Sequence, residues 1–179
     1  MAINTEITEP YAKALMSLAG EHRLADRIGE DARALRSALA ESEELARFLG
    51  NPIVPNEDKK SLLRQIGGDL HEYTRNFLML LVDRGRILFL DGICAQYLAL
   101  LRERNQTVLA EVTTTVELSS DQERAVRDKV KSFTGAREVE IETRIDPDII
   151  GGVIVKVGSK VIDASLRGQL RRLSLSLVK

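Results

Sequence analysis

Several residue types are scarce in this chain of 179 residues, and each scarcity excludes a class of protein. There is no tryptophan, and aromatic residues make up only 4% of the sequence, so aliphatic side chains must fill the core. Few aromatic rings are available to stack on nucleic-acid bases. The formal net charge is −1, whereas a nucleic-acid partner requires a clustered positive field. Composition therefore argues against a nucleic-acid partner.

Cysteine and histidine are also rare. The single cysteine, Cys94, excludes an intramolecular disulfide, and its place in a helical apolar pattern favours a buried, inert thiol. His22 and His71 lie on different predicted elements, with no cysteine or histidine at ligand spacing, whereas zinc sites normally need three or four protein ligands. We therefore predict neither a metal nor a cofactor.

The sequence has no apolar run long enough to cross a bilayer. The longest, Phe77–Val82, is far shorter than the roughly 20 residues that a membrane-spanning helix needs. The opening MAINTEITEP has neither the basic start nor the apolar stretch of a secretory signal, and it is not an arginine-rich transit peptide. We expect any association with a membrane to be indirect, through a partner.

Helical apolar periodicity runs from the start of the chain to about Arg104 and predicts six helices. The first should begin at Thr8 as its N-cap, with Pro10 in the first turn. The short connections favour a compact bundle over residues 1–105, ending in the polar stretch 102–106. The apolar residues of the later helices are centred on 24–39, 45–49, 62–66, 70–84 and 88–104.

After Gln106 the pattern changes to alternation, which is typical of half-buried strands. Ser120–Glu123 reads as a capping box that starts a helix ending near Phe133. Gly158-Ser159 is a two-residue hairpin turn, and a last helix starts near Ser165. This half predicts a small β-α-β-β-β-α domain over residues 106–179, so the fold class is α+β, mostly α.

No catalytic motif emerges. The segment Gly152–Lys160 has the wrong order for a phosphate-binding loop and reads as strand-turn-strand. Asp146-Pro147-Asp148 offers two carboxylates, but turn chemistry explains all three residues. A small hydrolase would have to use Asp146, Asp148 or a serine with no visible base, so we predict that the protein is not an enzyme.

Surplus apolar surface is the most informative feature. Phe77–Val82 covers nearly the full circumference of the fifth helix, which predicts either a central helix buried on all sides or a helix with one face open to a partner. The first helix is also apolar on two faces and should be covered on both. Side by side, the two would form a groove for a partner helix. One wall would consist of Tyr11, Ala14 and Leu18, and the other of Phe77, Leu80 and Arg84.

The last helix is basic, because no acidic residue follows Asp163. Its charges are Arg167, Arg171, Arg172 and Lys179. Two explanations stay open here. Cations are stabilised near the negative C-terminal end of a helix, which suits Arg167 least. Alternatively, the arginines form a basic surface for an acidic partner helix.

Seven segments together resemble the delta subunit family of F-type ATP synthases, the relatives of the mitochondrial oligomycin-sensitivity-conferring protein. The resemblance covers essentially the whole chain and is most specific near the C-terminus. The matching segments are Pro10–Leu15, Asn76–Leu78, Asp83–Arg86, Ile145–Asp146, Ile150–Val155, Val161–Asp163 and Ser165–Leu170.

The resemblance implies a stator subunit without catalytic residues. Its N-terminal domain would bind the N-terminal helix of an alpha subunit between its first and fifth helices, and its C-terminal domain would bind the C-terminal ends of b-type stalk subunits. It would couple proton-driven rotation to ATP synthesis. It would sit peripherally on the cytoplasmic or stromal-equivalent face of a plasma membrane or thylakoid, without forming a homo-oligomer. The alternative is an RNA-binding helical bundle of the antitermination-factor type.

Overall fold

The computed structural model describes residues 5–177 and their side chains as far as residue 172. These residues form eight α-helices and one four-stranded sheet, which confirms the predicted α+β, mostly helical class. The chain divides into two compact units, Met1–Leu101 and Arg102–Lys179. The predicted boundary between residues 105 and 106 lies four residues after this division, at the end of the sixth helix.

The first unit is helical. Ser42 separates its second and third helices and caps the third, since its hydroxyl accepts a hydrogen bond from the Leu45 amide at 3.2 Å. A short 3-10 turn, Ile87–Phe89, precedes the sixth helix. The six helices are α1 (Thr5–Glu21), α2 (Ala25–Glu41), α3 (Glu43–Gly50), α4 (Asn56–Ile66), α5 (Glu72–Asp83) and α6 (Leu90–Asn105).

The predicted start of the first helix is wrong. Thr8 is not the N-cap: α1 already includes Thr5, and Thr8 is buried within the helix. Pro10 accordingly lies inside α1 rather than in its first turn. A threonine ahead of an apolar run fits the N-cap pattern, but Thr8 is four residues before Ala12 and shares its buried face, so the helical period includes it.

Aliphatic side chains and one buried tyrosine fill the core of this unit. Tyr97 is fully buried, and its hydroxyl donates to the Ala25 carbonyl at 2.9 Å, which satisfies its polar end. Gly29 permits close packing, because a Cβ there would lie 2.5 Å from the Leu101 side chain. Cys94 is buried as predicted, and desolvation raises the pKa of its thiol to about 12.

The second unit is a four-stranded sheet with two helices. The sheet order is β2-β1-β3-β4, with β1 and β2 parallel and the other two pairings antiparallel. Five buried residues form its core cluster: Ala110, Val112, Val130, Val139 and Val155. The elements are β1 (Thr107–Thr114), α7 (Ser120–Thr134), β2 (Glu138–Ile145), β3 (Val153–Val157), β4 (Lys160–Asp163) and α8 (Leu166–Leu177).

The capping box of α7 is displaced by one residue from its prediction. Ser119, not Ser120, is the N-cap: its hydroxyl accepts from the Gln122 amide at 3.3 Å, and the Gln122 side chain accepts from the Ser119 amide at 2.9 Å. Both Ser119–Gln122 and Ser120–Glu123 fit the serine-x-x-acid-or-amide pattern, so the sequence alone could not separate them.

The turns of this unit follow their predictions. Val157 pairs with Lys160 across Gly158-Ser159, and Gly158 has φ +58, a value that glycine adopts without strain. The Asp146 carboxylate accepts from the Asp148 amide at 3.0 Å and opens a short 3-10 turn, Pro147–Ile149. The Asp-Pro-Asp segment is therefore a turn, as predicted.

Candidate partner-binding surfaces

Side chains at α1 and α5 approach each other at two places. Leu15 of α1 and Phe77 of α5 line the same narrow internal cavity. Just beyond the end of α1, the His22 ring stacks on Tyr73 near the start of α5, with ring centroids 4.8 Å apart. The Tyr73 hydroxyl also lies 3.2 Å from His22 Nε2.

Helix α5 is buried on one face only, so the prediction of a central helix buried on all sides is wrong. Its fully buried residues are Thr74, Leu78, Leu81 and Val82. Leu80 falls between them in sequence but is 44% exposed. Because residues 80 and 78 lie about 200° apart around a helix, burying one leaves the other outside.

Helix α1 is likewise covered on one face rather than on both. The buried residues are Thr8, Ala12, Leu15 and Ala19. The other apolar stripe, which includes Tyr11, Ala14 and Leu18, is half-buried or exposed. Small Ala12 and Ala19 let the buried face approach its neighbours closely, and this leaves the larger side chains of the second stripe toward the surface.

The six side chains predicted to line a groove all remain partly or fully accessible. Tyr11 and Phe77 are half-buried and pack against the core on one side. Leu18 is half-buried, and Ala14, Leu80 and Arg84 are exposed. Five of these six residues lie on α1 or α5 and Arg84 directly follows α5, so we call the set the α1–α5 face; that the six line one groove stays a prediction.

A buried carboxylate that the sequence analysis missed holds the start of α5. Asp31 on α2 is 2% exposed, and its Oδ2 accepts from the His71 amide at 2.9 Å and from the Thr74 hydroxyl at 2.5 Å. Its Oδ1 lies 3.4 Å from Arg27 Nη2. The carboxylate therefore faces the positive end of the α5 dipole. One signal could have found it: residue 31 falls on the apolar stripe of α2, between Ile28 and Leu35.

In the second unit, Asp163 and Ser165 build the start of α8. The Asp163 carboxylate accepts from the Ser165 hydroxyl at 2.6 Å and from the Ser165 amide at 2.9 Å. The buried Ser165 hydroxyl in turn accepts from the Gly168 amide at 3.0 Å, which caps the helix. Hydrogen bonds from the Ser165 hydroxyl and amide, with a smaller contribution from Arg172, lower the pKa of Asp163.

Two glycines of the matching C-terminal segments are required by this junction. Gly152 has φ +81, and a Cβ there would lie 2.5 Å from the Ala164 carbonyl oxygen. A Cβ at Gly168 would collide with the Asp163 carboxylate. The bend at Gly151-Gly152 is therefore a close backbone approach, as predicted, since the Leu166 amide donates to the Gly151 carbonyl at 2.9 Å.

The arginines of α8 do not lie where the helix dipole would favour them. Arg167 is in the first turn, and Arg171 and Arg172 are in the middle of a helix that extends to Leu177. The dipole acts on cations within the last turn, so it does not explain these three residues; Lys179 lies outside the described residues. Arg167 donates to the Asp148 carbonyl at 3.4 Å and Arg172 to the Asp163 carbonyl at 3.5 Å, whereas Arg171 is exposed.

The exposed arginines have apolar neighbours. Leu166 and Leu170 are one turn apart on α8 and are 47% and 58% exposed. Ile150, close in the chain to Gly151, is 64% exposed. Apolar side chains and positive charge thus occur together at this end of the second unit, in an arrangement which we call the α8 surface.

Within residues 5–177, no three His, Cys, Asp or Glu side chains come together as a metal-binding group. Over the same residues, no helix combines the length and apolar character needed to cross a bilayer.

The described residues thus form a helical unit and a small sheet unit, each with apolar side chains left exposed. The chain belongs to the ATP synthase delta (OSCP) subunit family, whose model matches residues 7–177. This confirms the resemblance drawn from the sequence, and it lends no support to the RNA-binding alternative.

Relatives cover nearly the whole chain. It is 61% identical over 175 residues to the ATP synthase subunit delta of Crocosphaera subtropica, covering 97% of this chain and 95% of that one. Identity to the subunit delta of Trichodesmium erythraeum is 59% over 173 residues, covering 96% and 95%. A chain of the Toxoplasma gondii mitochondrial ATP synthase hexamer shares the fold, with a TM-score of 0.70 at 21% identity over 95% of this chain and 96% of that one.

Replacing Asp31 should destabilise the helical unit. In Asp31→Ala, the His71 amide and the Thr74 hydroxyl lose their acceptor, so we expect the free energy of unfolding to fall by about 2–4 kcal/mol. Urea denaturation followed by far-UV circular dichroism measures this. The matched control is Glu30→Ala on the exposed side of α2, which should change stability by less than about 1 kcal/mol. Equal stability of Asp31→Ala and wild type would contradict the capping role.

Acidification should loosen the start of α8. The pKa of Asp163 is lowered in the folded state, so its ionised carboxylate stabilises that state. This stabilisation is complete above the unfolded-state pKa and is lost as pH falls through the folded-state pKa. We expect the Ser165 and Gly168 amides to exchange hydrogen several-fold faster in Asp163→Asn at neutral pH, whereas Asp148→Asn should match wild type. If the Ser165 and Gly168 amides were as well protected from exchange in Asp163→Asn as in wild type, the Asp163 carboxylate would not hold the start of α8.

Proposed function

We propose that this chain is a non-catalytic stator subunit of an F-type ATP synthase, tethering the alpha/beta catalytic head to the b-type peripheral stalk. The observation that carries the proposal is the α1–α5 face, a set of accessible, mostly apolar side chains on a chain of the delta (OSCP) family. A partner chain that covered Leu80, which is 44% exposed, would remove its apolar surface from water.

The head contact is proposed to be a helix laid along the α1–α5 face. Tyr11 and Phe77, each half-buried against the core, would be rigid anchors with an accessible side. The small side chain of exposed Ala14 would leave space for the backbone of the incoming helix, which we propose is the N-terminal helix of an alpha subunit. Leu18 and Leu80 would extend the apolar contact, and Arg84 would lie at its edge.

The stalk contact is proposed to use the α8 surface. Exposed Leu166 and Leu170 would provide apolar contact, and Arg171 and its neighbours would attract acidic side chains at the C-terminal ends of b-type subunits. Arg167 and Arg172 already donate to local carbonyls, so Arg171 is the arginine best placed to reach a partner.

The work of such a protein is mechanical. A central shaft turns inside the catalytic head, and a head free to turn with it would transmit no torque to the nucleotide sites. The stator must therefore resist a sustained load, which requires slow dissociation and a large apolar joint rather than a reactive group. We propose that the chain works peripherally on the cytoplasmic or stromal-equivalent face of a plasma membrane or thylakoid, without forming a homo-oligomer.

Substitutions on the α1–α5 face should weaken binding of a synthetic alpha N-terminal peptide. We expect Tyr11→Ala and Leu80→Asp each to lower the affinity by at least about tenfold, because buried aromatic and aliphatic anchors dominate such joints. Fluorescence anisotropy of a labelled peptide measures this. Leu88→Asp is the matched control, since Leu88 is 56% exposed but lies outside the face. Wild-type affinity in both Tyr11→Ala and Leu80→Asp would refute the assignment of the α1–α5 face as the binding site.

Separating the two units should separate the two contacts. The core cluster of the first unit contains only residues between Ala12 and Leu101, so we expect a fragment ending at residue 105 to fold and to keep its affinity for the alpha peptide. It should lose all binding to a b-type C-terminal peptide, which surface plasmon resonance measures. In the full chain, Arg171→Glu should weaken stalk binding alone. A fragment that still bound the b-type peptide would overturn this division.

A further inference from the structure

A second apolar depression lies on the helical unit, where the end of α2 and the short α3 face α4. Its volume is about 680 Å³, and neither α1 nor α5 lines it, so it is separate from the α1–α5 face. Its apolar lining consists of Ala38, Leu45, Phe48, Leu62 and Ile66. We call it the α3–α4 groove.

The groove exists because α3 is apolar on more than one side. Leu49 points into the core and is 2% exposed, whereas Leu45 and Phe48 are half-buried and line the groove. On the opposite wall, Leu63 is buried while Ile66 is 45% exposed. On each wall, one apolar residue is thus buried in the core, and other apolar side chains remain accessible to solvent.

The charged residues that line the groove have one sign. Glu41, at the end of α2, and Glu44, in the first turn of α3, both line it, and no basic residue does. The nearest cation along α3, Arg47, is engaged by Glu43 at 2.6 Å. An anionic partner would therefore be repelled, and a partner with positive charges beside its apolar side chains would be attracted.

We propose that the α3–α4 groove binds a basic amphipathic helix of another protein chain. Aliphatic side chains one turn apart would enter between Phe48 and Ile66, and lysines or arginines next to them would pair with Glu41 and Glu44. The proposal does not depend on the stator role, because its residues and its partner chemistry are distinct from those of the α1–α5 face.

The test uses the full chain, labelled with ¹⁵N, and two designed helical peptides of about 15 residues, a length at which helices begin to persist in water. Both carry leucine along one face. One has lysine beside the leucines, and the other has glutamate at the same positions. We expect the lysine peptide to shift the amide resonances of α3 and α4 and the glutamate peptide to bind at least tenfold more weakly.

Variants then separate charge from apolar contact. The double variant Glu41→Lys with Glu44→Lys should reverse the preference between the peptides, and Ile66→Asp should lower the affinity for the lysine peptide at least tenfold. Ile53→Asp is the matched control, since Ile53 is 87% exposed but does not line the groove. Equal binding of both peptides, an unchanged preference in the double variant, or resonance shifts confined to residues that do not line the groove would each overturn the proposal.

Discussion

The buried Asp31 carboxylate fixes where α5 begins, and the α1–α5 face depends on that position. One carboxylate oxygen accepts hydrogen bonds from the His71 amide and the Thr74 hydroxyl, and the other pairs with the Arg27 guanidinium. Helix α2 therefore holds the first turn of α5 through charge as well as packing. A carboxylate this deep is stable only when such donors surround it. With α5 fixed in rotation, Leu78 points inward and Leu80 points outward, which decides which apolar side chains remain available to a partner.

The two units rely on different physical devices. The helical unit has an extended aliphatic core, in which buried Tyr97 and small residues such as Ala12 and Gly29 allow close helix packing. In the second unit, five of the side chains described up to residue 172 form a buried core cluster, and hydrogen bonds among Asp163, Ser165 and Gly168 hold the start of α8. The matching C-terminal segments meet at this junction, where a side chain at Gly152 would strike the backbone, so the most specific part of the family pattern has a steric reason.

Much of the fold could be predicted from the sequence, because apolar periodicity and turn chemistry are local. The hairpin at Gly158-Ser159 and the Asp146 turn needed only neighbouring residues. The predictions that failed concerned residues whose contacts are distant in sequence, or positions where two neighbouring residues fit the same local pattern. Ser119 and Ser120 both fit a capping box, and Thr8 fits an N-cap until packing buries it. The two apolar stripes of α1 cannot be ranked without knowing its neighbours. Asp31 was missed because its donors lie on α5, about forty positions along the chain.

The central claim is that the α1–α5 face is a preformed apolar binding surface for a helix of the catalytic head. Calorimetric titration of the full chain with a synthetic alpha N-terminal peptide, repeated at several temperatures, tests it most directly. The account predicts saturable one-to-one binding with a negative heat-capacity change, because apolar surface is removed from water. Absence of saturable binding, or binding without a heat-capacity change, would contradict it.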